Sequence, residues 1–279
     1  MVSMLSMQQI FDHVLEMPSI SRVVQELIES FNDPRTNVDA IARKLRMDQA
    51  LSAKVLRMAN SARYGAGRQV TSIDSAVITL GFDAVRTLVV ASGVTGAFRR
   101  VPHLDMNAYW RETFLVASVS KAIAQHARLD AETAFTCGLM HSVGELLLYL
   151  SDGETMSRIG RMAREGADQV QLERNQFGFD YAEVGEELAR RWHFPERITQ
   201  AVGQHTHVLE RLQPEPYALI LYLARYLALG SLGGVSRQEI LAHFPAELAE
   251  PLDLDMLGLM EEMDRLLAEE DDIDQVLAA

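Results

Sequence analysis

Apolar residues recur along most of this chain at the spacing of one helix face. Ile20, Val23, Val24, Leu27, Ile28 and Phe31 fall at i, i+3, i+4, i+7, i+8 and i+11, a single stripe that predicts a core-facing helix. Sustained alternation of apolar and polar positions, the mark of a half-buried strand, is absent. The pattern predicts an all-α fold. Helix starts of the form S/T/D-x-x-D/E, in which the first side chain accepts from an early backbone N–H, are read at Thr36 with Asp39, Thr71 with Asp74, Asp180 with Glu183 and Ser236 with Glu239. The eight prolines fall between periodic runs or at their first position, as expected of residues that cannot donate inside a helix.

The apolar runs are interrupted at Phe98-Arg-Arg-Val-Pro-His-Leu-Asp105, where charge and proline separate two helices. This predicts an N-terminal helical lobe over residues 1–100 and a second over 104–210, closely packed because no low-complexity linker joins them. A shorter break at Leu212-Gln-Pro-Glu-Pro216 opens a C-terminal helical extension over 211–279, expected to pack on the second lobe. No internal repeat is visible.

Composition narrows the class. With 279 residues and 48% hydrophobic content the chain can fill a substantial core. Its single cysteine, Cys137, excludes an intrachain disulfide and reads as a buried small hydrophobe rather than a nucleophile. The N-terminus lacks a basic region ahead of an apolar stretch, and no segment approaches about 18 uncharged apolar residues, so a soluble cytoplasmic protein with no membrane partner is expected. A net charge of −13 argues against general nucleic-acid binding. The average conceals an asymmetry: eight Lys or Arg against Asp39 and Asp48 between Arg35 and Arg68, and twelve acidic residues against Arg265 between Glu247 and Asp274.

Residues 36–59 read as two short helices joined near Met47-Asp48, superficially a helix-turn-helix. The start of the second helix, Gln49, Ala50, Leu51 and Ser52, offers few base-reading groups. Its stripe of Leu51, Val55, Leu56 and Ala59 must face inward, so a helical hairpin with a solvated basic edge is the plainer reading.

The most specific strings come next: Met17-Pro-Ser-Ile20 through Phe31-Asn-Asp-Pro34, Leu51-Ser-Ala-Lys-Val-Leu-Arg-Met-Ala-Asn-Ser-Ala-Arg-Tyr-Gly65, and Val70-Thr-Ser-Ile-Asp-Ser-Ala-Val-Ile-Thr-Leu-Gly-Phe-Asp-Ala-Val-Arg86. Tyr109-Trp-Arg-Glu112, the helix bearing His141-Ser142, and Phe179-Asp-Tyr-Ala-Glu-Val-Gly-Glu-Glu-Leu-Ala-Arg-Arg-Trp192 follow. From about residue 12 to 210 the chain resembles the HDOD domain, an HD-related output domain of bacterial signalling proteins. The resemblance implies a multi-helix fold whose second lobe is HD-like.

HD phosphohydrolases, the catalytic relatives of that family, are implied to hold divalent metal with a His on an early helix, an adjacent His-Asp pair and a later Asp. Imidazole nitrogens and carboxylate oxygens stabilise such a cation, which acidifies water and polarises a phosphoryl oxygen. By pattern, the first His position falls on Glu112, give or take one residue, and the pair keeps His141 but has Ser142 in place of its Asp. Glu145 stands where a Lys often follows, and the late Asp aligns with Arg225, which has no acceptor with which to bind a cation. The resemblance thus implies a degenerate centre without metal or cofactor. Arg225 either replaces the metal electrostatically, pairing with Glu112 or Glu145, or faces solvent.

Other residues sharpen the alternatives. His205 and His207 lie at i, i+2 and share no helical face, so a partly buried imidazole and an exposed one are expected rather than a metal pair. The sequence after them, Val208-Leu-Glu-Arg-Leu-Gln-Pro214, lacks the Gly-Tyr-Pro of the cyclic-dinucleotide-cleaving HD subgroup. Gly65-Ala-Gly67 reads as a turn. Asn60, Ser61, Arg63 and Tyr64 either cap a helix or join Lys54 and Arg57 in an interaction surface. Met256, Leu259, Met260, Met263 and Leu267 form a helical stripe beneath an acidic face, by default a packed core stripe, alternatively a face docked on the basic segment within one chain or between two.

These readings converge on a non-catalytic regulatory module that acts through unidentified signalling proteins, with self-association as an option. A metal-dependent phosphohydrolase and a DNA-binding regulator using residues 36–59 are the rival readings. No receiver or cyclase domain is recognised, so the input is expected through a partner or a small ligand.

Overall fold

The computed structural model describes residues 6–13, 18–31, 33, 35–61, 69–254 and 256–268. These form helices, turns and short connections with no strand among them, the all-α architecture that the periodicity predicts. In chain order the helices are α1 Met7–His13, α2 Arg22–Phe31, α3 Val38–Leu45, α4 Gln49–Ala59, α5 Ile73–Ala97, α6 Met106–His126, α7 Ala131–Met140, α8 Val143–Arg164, α9 Gln169–Phe177, α10 Tyr181–Arg191, α11 Glu196–Gln204, α12 Pro216–Leu232, α13 Arg237–Ala242, α14 Ala246–Ala249 and α15 Met256–Ala268. The chain divides into two units, the smaller holding residues 18–97 and 192–194 and the larger holding the rest of the described residues.

In the smaller unit α2, α3 and α4 pack on α5. Ile20, Val24, Leu27 and Ile28 are buried along the predicted stripe, while Val23 and Phe31 at its margins are half-buried. The basic hairpin turns Ile41, Ala42, Leu45, Leu51, Val55 and Ala59 inward. Its charge is partly committed within the unit: Lys44 Nζ donates to Glu26 O (2.9 Å) and Ser30 Oγ (2.8 Å), and Arg46 pairs with Asp74. The long helix α5 bends at Gly81, whose φ of 79° suits a residue without Cβ. By length and composition α5 is the one helix among the described residues apolar enough to cross a membrane, although Asp74, Asp83 and Arg86 interrupt it and no run of about 18 uncharged apolar residues occurs, as the sequence led one to expect. Its Val85, Leu88, Val89 and Val90 are buried in this unit.

Asn60 closes α4 with a reciprocal clasp. Its Nδ2 donates to Leu56 O and Val70 O, both at 2.8 Å, and its Oδ1 accepts from Val70 N at 2.8 Å. Ser61 Oγ donates to Met58 O at 2.8 Å, so the polar groups of both residues serve the helix end. Lys54 and Arg57 lie on α4, whereas Arg63, Tyr64 and Gly65-Ala-Gly67 lie outside the described residues. Asn60→Ala is expected to lower stability by about 1–2 kcal/mol through the lost clasp. An unchanged urea midpoint would show the clasp to be dispensable.

Two of the four predicted helix starts hold residue for residue. Ser236 and Glu239 form a reciprocal capping box, and Asp180 accepts from Ala182 N and Glu183 N while Asp180 N donates to Glu183. The other two are corrected by one residue: Asn37, not Thr36, caps α3, and Ser72, not Thr71, accepts from Ser75 N ahead of α5. Both failed pairs end in Asp, whose shorter side chain reaches back to the cap less readily than Glu does.

In the larger unit α6 packs against α7, α12 and α15. Cys137 is fully buried in α7, and Leu259, Met260 and Met263 of α15 are buried, with His126 Nε2 3.2 Å from Glu262. The C-terminal apolar stripe is therefore packed on α6. Acidic residues 269–274 and the Leu267 side chain lie outside the described residues.

Candidate functional site

Five helices of the larger unit bring the positions that the family resemblance singles out to one cavity. Asp105 starts α6 by accepting from Asn107 N (3.0 Å) and Ala108 N (3.1 Å). The helical spacing then places Tyr109, Glu112 and Thr113 on one face. α7 ends at His141, and Ser142, with non-helical φ −110° and ψ 7°, turns the chain into α8, which carries Glu145. Tyr181 comes from α10 and Arg225 from α12. All of these line a cavity of about 880 Å³, with Arg161 and Arg164 exposed among its lining residues.

Ser142 is committed to the protein, its Oγ donating to Tyr109 Oη at 2.9 Å with Thr113 Oγ1 at 3.4 Å. His141 is buried and its Nδ1 lies 2.7 Å from Gly138 O. A carbonyl can only accept, so Nδ1 carries the proton and Nε2 keeps a lone pair. Burial pushes this imidazole down to about 4, with the Gly138 bond opposing burial and the Arg225 charge reinforcing it. His205 repeats the arrangement: Nδ1 donates to Val202 O at 2.6 Å and Nε2 accepts from Tyr181 Oη at 3.1 Å. It too is held neutral by burial, and its ring meets His141 edge-on at 5.8 Å.

The carboxyls are displaced the other way. Burial raises Glu112 against the pull of Arg225, and burial followed by the Glu112 charge raises Glu145 to about 7. Glu173 of α9, fully buried, accepts from Gln169 Nε2 and Tyr181 N, both at 2.8 Å, and burial with the neighbouring Glu145 charge raises it to about 8. Arg225 lies with its Cζ 5.7 Å from the Tyr181 ring centre. The direct ion pair with Glu112 or Glu145 suggested by the sequence is absent among the described residues. These charges act on Arg225 across the cavity, after the larger influence of Tyr181.

His205 and His207 part company. His205 is fully buried rather than partly so, and His207, half-buried rather than exposed, places Nε2 2.6 Å from Asp180 Oδ2, which also accepts from Arg174 Nε at 3.0 Å. This imidazole supports the start of α10. A second cavity of about 930 Å³, lined by Thr206, His207, Tyr222 and Tyr226 among others, shares Arg225 with the first.

The residues present do not fit a divalent metal. Among the described residues no group of three or more His, Cys, Asp or Glu is arranged to hold one. His141 Nε2 remains as a donor, but Ser142 is neutral and hydrogen-bonded to Tyr109, and Arg225 brings a positive charge to the same cavity.

Sequence reasoning missed Glu173, Tyr181 and Tyr109 as members of this site, and it weighed His205 only with His207, as a metal pair or the His-rich edge of an HD-type site. Tyr109 and Tyr181 sit within the family-like strings, which was the available signal. Glu173 lies in a polar helix with no apolar periodicity to mark its burial.

Solved structures share this fold over nearly the whole chain. A Shewanella amazonensis SB2B protein with the provisional name phosphohydrolase is 31% identical, with a TM-score of 0.80, covering 96% of this chain and 97% of that one. An HDOD domain protein of unknown function from Geobacter sulfurreducens is 26% identical with a TM-score of 0.82, covering 97% and 96%. A Marinobacter aquaeolei VT8 protein provisionally named for signal transduction shares the fold at 22% identity and a TM-score of 0.76, covering 96% of this chain and 60% of that one. A curated relative from Treponema pallidum (strain Nichols) is 24% identical over 223 residues, which span 74% of this chain and 41% of the relative. The HDOD domain profile matches residues 17–208, and the chain belongs to the HDOD family.

Proposed function

We propose that this chain is a regulatory HDOD module that acts by binding and not by hydrolysis, relaying a signal through protein contacts. The observation that carries the reading is Arg225: a permanent cation lines the cavity that also holds His141, Ser142, Glu112 and Glu145, where metal-dependent phosphoryl chemistry needs a carboxylate. The signal-transduction name of the Marinobacter fold relative is consistent with it. The phosphohydrolase name of the Shewanella relative supports the rival enzyme reading.

The two readings separate in one experiment. Purified chain is analysed for bound metal and assayed with manganese or magnesium against phosphomonoester, phosphodiester and nucleotide substrates. The expected result is no stoichiometric divalent metal and no turnover. Turnover that disappears in His141→Ala would overturn the proposal.

A further inference from the structure

Arg225 is a permanent cation, half-buried in the larger unit, without a protein acceptor. Among the described residues none of its N–H groups reaches a hydrogen-bond acceptor, and no carboxylate comes within ion-pairing distance. Its close neighbour is the face of Tyr181, 5.7 Å away. The guanidinium is nevertheless not sealed in protein, because Thr206 Oγ1 is the one fully enclosed and unpartnered side-chain polar atom among the described residues. His141 Nε2 is in the same condition with the opposite polarity: an acceptor without a donor, in a residue that lines the same cavity.

Such groups are costly unless water or a ligand completes them. The planar guanidinium fork is matched by two oxygens of a carboxylate or phosphate. The charged and titratable groups around it are Tyr109 and Glu112 from α6, Glu145 and Tyr149 from α8, Glu173 from α9, Tyr181 from α10 and the imidazoles of His141 and His205, with His103 and the exposed carboxylates of Asp105 and Asp168 also in the cavity lining. Burial holds Glu112, Glu145 and Glu173 toward their neutral forms and the imidazoles of His141 and His205 and the Tyr181 phenol neutral, so the groups packed around the Arg225 guanidinium leave its charge free for a guest. Exposed Arg161 and Arg164 balance the charges of exposed Asp105 and Asp168 in the cavity lining, so Arg225 leaves it with an excess positive charge.

We infer that this cavity binds a small oxyanion-bearing molecule, carboxylate or phosphate, clamped by the Arg225 guanidinium while an O–H or N–H of the ligand donates to His141 Nε2. The inference rests on the binding role proposed above and supplies its input: the ligand is held, and no bond in it is broken.

Calorimetric titration of the full chain at pH 6 with chelator present tests it, using inorganic phosphate, malonate and adenosine 5′-monophosphate as probes. Saturable one-to-one binding of at least one probe is expected, and the phosphate and malonate arms distinguish the two oxyanions. Arg225→Gln is expected to weaken binding about tenfold or more. Arg225→Lys keeps the charge and loses the fork, so a loss of several-fold is expected there, and this variant decides if the Gln variant fails to fold. Absence of saturable binding for all three probes, or unchanged affinity in a folded Arg225 variant, overturns the inference. Repeating the nucleotide arm with manganese separates the two claims: phosphate release overturns the regulatory reading, whereas no binding without release overturns only the ligand.

Discussion

Gly144→Ala is expected to cost about 3 kcal/mol or more and to lower the melting temperature of the larger unit far more than Gly96→Ala does. A Cβ at this position would lie 2.0 Å from Tyr181 O and 2.5 Å from Gly185 N. Both are backbone atoms of α10, so no rotamer change relieves the clash, and α8 must separate from α10. The separation would propagate to the site, because Ser142 lies two residues before Gly144 and Tyr181 provides the phenol facing Arg225 and His205. Gly96→Ala is the control. Nothing lies within 4 Å of its Cβ position in α5, so alanine is expected to be neutral or stabilising by about 0.5–1 kcal/mol. Melting of Gly144→Ala within about 2 °C of wild type would show that α8 and α10 are not locked by this contact.

The helices were legible because a 3.6-residue period reports which face is buried, and α2 buries its predicted face. Helix starts were legible only where the side-chain chemistry closed on itself: Asp180 with Glu183 and Ser236 with Glu239 satisfy both partners, whereas Asn37 and Ser72 competed successfully with the neighbouring threonines. The family resemblance singled out Glu112, His141, Ser142, Glu145 and Arg225, and the fold brings all five to the lining of one cavity. What periodicity could not reveal was the site's inner network. Glu173 reaches Tyr181 N, and Tyr181 reaches His205, through packing among α9, α10 and α11. No local spacing records that packing. Nor could the sequence state that Arg225 lacks a direct acceptor, since that depends on distances across a cavity between helices far apart in the chain.

The same network predicts a pH profile that removing one cation should reshape. His141 and His205 have folded-state values below their unfolded one, so their contribution is present above about pH 6.5 and is lost as pH falls. Glu145 and Glu173 are raised, to about 7 and about 8, so their contribution is full below about 4.5 and is lost as pH rises through those values. Between about 4.5 and 6.5 the two trends oppose each other and stability is expected to be nearly flat. Above 6.5 only the carboxyls change. Each tenfold change in a proton equilibrium is worth about 1.4 kcal/mol, so the loss by pH 8.5 is about 2–3 kcal/mol. Arg225 pulls Glu112 and Glu145 downward, so in Arg225→Met both rise further and ionise at greater cost. Near pH 6 the variant gives up a buried charge along with its attractions, and little change is expected. At pH 8.5 it should fall below wild type by a further amount of about 1–2 kcal/mol, as for charges that interact across a cavity without a direct pair. Urea unfolding of both proteins at pH 6 and 8.5 measures the difference. An equal loss at the two pH values would mean that Arg225 stabilises the unit through packing alone, because only its electrostatic coupling to Glu112 and Glu145 grows as those carboxyls ionise.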